Sequence, residues 1–83
     1  MEYIAERITI DSNLCNGKPT IRGTRLTVNT ILEFLGAGET REVLLIQYPT
    51  LENEDIDACL KFAANLMNRN FTIKKIEFII WNV

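Results

Sequence analysis

The chain contains no histidine. That removes the commonest general base, the commonest zinc ligand and the one side chain that changes charge near neutral pH. Cysteine is almost as scarce. Cys15 and Cys59 stand far apart, with no CxxC spacing, so no zinc set is assembled from them. They read as reduced thiols of a cytoplasmic protein rather than as a disulfide. No nucleophile elbow is present, so no catalytic residue, cofactor or small-molecule substrate is expected. Gly17-Lys18 is not a nucleotide loop, because Pro19 follows the lysine and the upstream glycine is missing. No metal site is expected either, since Asp55 and Asp57 project about 200° apart on a helix. A large charge of one sign is lacking too. The net charge of −2 argues against a general nucleic-acid coat protein. No apolar run approaches the roughly 18 residues that span a membrane. Residues 1–20 hold no uninterrupted apolar core of signal-peptide length.

What is present is a short chain of ordinary globular composition: 83 residues, 47% apolar and 24% charged. One domain over 1–83 is expected. A chain of this size hides only about 60–65% of its unfolded surface, so help from a partner subunit is expected as well. Residues 7–10 alternate and are β-branched, which reads as a strand. Residues 11–19 form a loop with a strong Asn16-Gly17 turn. Residues 20–26 read as a second short strand or an extended arm, giving a β-arm or hairpin over 7–26. Thr27 caps a helix over 28–37, with Val28, Ile31, Leu32 and Leu35 on one face. Gly36 and Gly38 end it, with Gly38 left-handed. Thr40 caps a helix over 41–48, which Pro49 stops. Asn53 caps a third over 54–67, whose inner face is expected to be Ile56, Leu60, Ala63 and Met67. The layout predicts a mainly α fold: a three-helix helix-turn-helix bundle with a short N-terminal β-arm.

Two segments carry more apolar side chains than one small bundle covers. Val43-Leu44-Leu45-Ile46 spreads around the whole second helix, so Leu45 and Ile46 are candidates for contact with the tail or with a partner. Phe62 is a third candidate, on the stripe it shares with Ala58. Residues 71–83 are the most apolar in the chain and read as a strand more readily than as a helix. Phe78, Ile80 and Trp81 are candidate contacts there, covered either by the bundle or across a homodimer.

Charge is distributed unevenly. Residues 7–25 hold four cations and one anion, whereas 33–57 hold one cation and seven anions. Lys18, Arg22 and Arg25 are candidate nucleic-acid contacts. The alternative is that these cations pair with the acidic helices of the same fold or of a second chain. Reading DNA through the third helix is disfavoured, because its first turn carries Glu54, Asp55 and Asp57.

Several motifs resemble one family. Gly17-Lys18-Pro19, Ile21-Arg22-Gly23-Thr24-Arg25, Val28 with Ile31-Leu32, Gly38, Glu42-Val43-Leu44, Tyr48-Pro49 with Leu51, and Glu54-Asp55-Ile56 with Ala58 and Leu60 are similar to domain of unknown function 433. The tail beyond residue 70 has no counterpart in the resemblance, and Ser12 stands where a proline is common. The resemblance implies a homeodomain-like or winged helix-turn-helix fold and an antitoxin-like bacterial protein. Such a protein binds and neutralises a PIN-like ribonuclease toxin, as a homodimer, and binds operator DNA as a further option. The alternative function is a DNA-binding autorepressor that uses the basic arm.

Overall fold

The structure, a computed structural model, describes residues 1–68. The 71–83 tail lies outside them, and with it Phe78, Ile80 and Trp81. Strands β1 (Glu2–Ala5), β2 (Ile8–Ile10) and β3 (Thr20–Ile21) form one antiparallel sheet in the order β1-β2-β3. Helices α1 (Val28–Gly36), α2 (Arg41–Gln47) and α3 (Asn53–Met67) follow.

The expectation of a mainly α helix-turn-helix bundle with only a β-arm is therefore corrected. A three-stranded sheet stands beside the helices, and its first strand was not expected. The signal for β1 is weak because Glu2, Tyr3 and Ile4 are all exposed, so no core-facing alternation marks them. The turn that creates it lacks Gly or Asn at the left-handed position. Arg7 takes that conformation instead (φ 65°) and lets Ala5 pair with Ile8. The strand expected over 20–26 is also shorter. Arg22 and Gly23 both have positive φ (44° and 72°), and the Thr24 amide donates to the Ile21 carbonyl at 2.8 Å. Two left-handed central residues mark a type I′ reversal. It folds the chain back so that the Ile21 amide donates to the Leu26 carbonyl at 2.9 Å.

The helix ends follow local chemistry. The Thr27 hydroxyl accepts from the Thr30 amide at 3.1 Å, and the Thr40 hydroxyl from the Val43 amide at 3.3 Å. Gly38 is left-handed (φ 93°), with Glu39 N–H donating to the Phe34 carbonyl and Gly38 N–H to the Leu35 carbonyl. That pair of bonds is a Schellman stop, which only a residue tolerant of positive φ completes cheaply. The expected cap of α3 is displaced by one residue: Glu52 is the N-cap, and its amide donates to Asp55 Oδ2 at 2.9 Å.

The core draws on every layer. Ile8 and Ile21 come from the sheet, Val28 and Ile31 from α1, Leu44 from α2, Leu51 from the loop before α3, and Ile56, Ala58 and Cys59 from α3. Phe34 and Tyr48 meet edge to face, 6.1 Å between ring centres, and join α1 to the end of α2. The buried hydroxyls of Thr9 and Thr20 bond each other at 2.9 Å, and Thr9 Oγ1 accepts from the Gly23 amide. No buried side-chain polar atom among the described residues lacks a partner.

The inner face of α3 differs from the one the spacing predicts. Ile56 is buried, but Leu60 is 41% and Met67 66% exposed. Ala58 is buried and Phe62 packs against the core instead. The cause is Asp55, which is drawn fully inside. Its inward placement rolls the helix so that the line Asp55, Cys59, Phe62 faces the body. No described helix is long and apolar enough to cross a membrane.

Replacing Thr27 by Ala is expected to lower the unfolding free energy by about 1 kcal/mol in urea titration, with Thr27→Ser retaining most of it. Ile56→Ala is expected to cost roughly 2–5 kcal/mol by the same measurement, because the cavity opens where sheet and helices meet.

Candidate functional site

The most organised polar cluster lies where the two hairpin turns meet the start of α3. Arg7 and Arg22 each occupy a left-handed turn position, and the Arg22 amide donates to the Arg7 carbonyl at 3.0 Å. Both guanidinium groups converge on Asp55. Arg22 grips it in bidentate fashion, Nε to Oδ1 at 3.0 Å and Nη2 to Oδ2 at 2.9 Å. Arg7 Nη1 reaches Oδ1 at 2.9 Å and Glu52 Oε1 at 2.6 Å. Arg22 Nη2 also donates to the Thr50 carbonyl at 3.0 Å.

Burial pushes the Asp55 carboxyl upward, but the bonds from Arg22, from the Glu52 amide and from Arg7 outweigh it and hold its pKa below the usual range. Arg7 is raised by its bonds to Glu52 and then Asp55, and Arg22 by Asp55. Asp55 accepts four hydrogen bonds on its two oxygens. A carboxylate so filled has no lone pair left for a metal or for a substrate proton. The cluster therefore positions elements: it joins the sheet to α3. Close by, burial and then the Asp55 charge push the Cys59 thiol up to about 12, which keeps it protonated and unreactive. Cys15 and Cys59 are both free thiols.

The three candidate nucleic-acid residues are not brought together. Arg22 faces inward to Asp55. Lys18 is exposed after the single 3-10 turn Cys15–Gly17 and borders a groove lined by Val28, Leu32, Phe62 and Leu66. That places it at the opposite end of α3 from Arg22. Arg25 is exposed, and its carbonyl accepts from the Cys15 thiol at 3.3 Å. On α3 itself, Glu54 and Asp57 are exposed in the first turns, and Asp57 pairs with Arg41 at 2.7 Å. No group of His, Cys, Asp or Glu among the described residues has the arrangement to hold a metal.

The candidate contact residues divide as well. Ile46 is 77% exposed on α2, whereas Leu45 and Phe62 rest against the edge of the core. The second half of α3 adds Leu60, Leu66 and Met67 as exposed apolar side chains. Of these, Leu66 borders the groove of about 380 Å³ between α1 and α3. Sequence reasoning missed Arg7 as a partner of α3 and treated Asp55 as surface. One signal was available: an acid three residues after Glu52 is the spacing of a reciprocal helix cap.

The family described as protein of unknown function (DUF433) matches residues 8–63. The chain belongs to the DUF433 family. A crystal structure of a DUF433 member from Anabaena variabilis ATCC 29413 is 32% identical, with a TM-score of 0.68. The likeness covers 71% of this chain and 58% of that one, so the chain takes in little more than half of that protein. No curated protein matches it. The match to residues 8–63 takes in Arg22, Glu52 and Asp55 and begins one residue after Arg7.

Asp55→Ala leaves two arginines facing each other without their shared anion. It is expected to destabilise the DUF433 fold by about 3–5 kcal/mol, read by chemical denaturation. Stability is also expected to depend on pH in one direction. The folded Asp55 pKa lies below its unfolded value of about 3.9, so the contribution is complete above that value. It is lost as pH falls through the lower folded pKa. Thermal melts between pH 7 and pH 2 should show the loss in the parent chain and a flatter profile in Asp55→Asn.

Proposed function

We propose that this DUF433 chain is a protein-binding module of the antitoxin kind, without catalysis of its own. In this reading it captures and silences a PIN-like ribonuclease in the cytoplasm and acts as a homodimer. The observation that carries the reading is the surface that α2 and the start of α3 leave outside the core. Ile46 is 77% exposed on α2, and the first turns of α3 expose Glu54 and Asp57. A large apolar side chain left at the surface suits a protein partner rather than water. Exposed carboxylates suit a ribonuclease, which must present cations to its RNA.

The alternative, an autorepressor that grips operator DNA through its N-terminal arm, has less support. Arg22 is occupied by Asp55 and Thr50, and Lys18 and Arg25 do not converge with it. The acids of α3 repel a phosphate backbone.

The test is to purify the chain with a PIN-like ribonuclease encoded beside its gene and to assay RNA cleavage. A stable complex and loss of cleavage at equimolar chain are expected. Full cleavage in the presence of excess chain, or the absence of any such neighbouring gene, overturns the reading. Strong, salt-sensitive binding of upstream DNA that is lost in a Lys18→Ala, Arg25→Ala double variant would favour the alternative instead.

A further inference from the structure

The second half of α3 carries an apolar stripe beside the face that meets the core, past the edge of the body. Leu60, Ala63 and Met67 follow Ile56 at steps of four, three and four residues, the spacing of a helix–helix seam. Ile56 is fully buried, yet Leu60 is 41% and Met67 66% exposed. The pattern thus calls for a cover that the described body does not supply.

We infer that a second copy of this chain is that cover. The two α3 helices pack antiparallel, with Leu60 of each copy against Met67 of the other and the two-fold axis passing near Ala63. Three features favour a second copy. First, the stripe is self-complementary: it runs large, small, large, so reversal sets each large side chain beside the other chain's large one. The small Ala63 at the centre lets the backbones approach. Second, Lys61 is the only charged residue between positions 60 and 68, so like charges do not meet along the seam, and the helix dipoles oppose each other favourably. Third, the groove beside Phe62 and Leu66, floored by Val28 and Leu32, gives the partner helix a concave flank in which to rest. Two turns of helix from each copy bury less than the ~800 Å² per partner of a standard-size interface, and far less than a permanent homodimer buries. The association is therefore concentration-dependent.

This inference deepens the interaction reading above by locating where the homodimer forms. The two fail separately, because ribonuclease capture and self-association are read by different measurements.

The experiment is sedimentation equilibrium of the full chain from low-micromolar to sub-millimolar concentration, for the parent, Leu60→Lys, Met67→Glu and an equimolar mixture of the two variants. Both positions are exposed, so thermal melts of the variants should stay near that of the parent at low concentration. The parent is expected to move from monomer to dimer. Each variant alone should associate at least about tenfold more weakly, since a lone charge is placed in the seam. The mixture should recover dimer, because the new lysine of one chain then faces the new glutamate of the other. A parent that stays monomeric throughout, variants that dimerise as well as the parent, or a mixture that fails to recover would each overturn the inference. So would a large fall in melting temperature in both variants with no self-association of the parent, which would place the cover within the chain itself.

Discussion

One buried carboxylate organises the described fold. Asp55 takes hydrogen bonds from two arginines and from the Glu52 amide. Through those contacts it fixes the start of α3, the β1–β2 turn and the turn after β3. Buried ion pairs add little net stability compared with apolar packing, but a buried ion that loses its partner is costly. The arrangement therefore sets geometry more than it adds energy. It also explains the backbone. Left-handed φ at Arg7 and Arg22 is disfavoured for residues with a side chain, and here the strain is held by side chains that both point at the same acid.

The same contact decides what remains outside. With Asp55 turned inward, α3 faces the core along Asp55, Cys59 and Phe62, and the stripe of Leu60 and Met67 is left at the surface. Among the described residues the core is small, nine buried apolar residues drawn from every layer. A domain of this size has little stability in reserve. Apolar side chains that one copy leaves exposed are then a natural source of additional burial for a partner.

Much of the helical part was legible from local signals. Thr27 and Thr40 announced two helix starts, and Gly38 announced a stop, because capping and positive φ depend on a few adjacent atoms. The face of α1 followed from the spacing of Val28 and Ile31. The sheet was harder. Its first strand has exposed residues on both faces, and both turns use arginine at left-handed positions where glycine or asparagine is the usual sign. The rotation of α3 was not legible, because periodicity counts apolar residues and an acid is the residue that faces in. The charge imbalance between residues 7–25 and 33–57 did point to internal pairing, with phosphate binding as the competing option. Arg22 and Asp55 are that pairing. What the imbalance did not carry was the choice among acids, which rests on the chain's path between Thr50 and Asp55.

The left-handed arginines also have a meaning in time. Their anchor lies 33 residues beyond Arg22 and 48 beyond Arg7. On a growing chain, neither reversal has its counter-ion until the first turn of the last described helix has left the ribosome. The amino-terminal strands therefore wait, unlocked, while most of the molecule is made. The sheet and α3 then close together, because contacts between residues far apart in sequence form late.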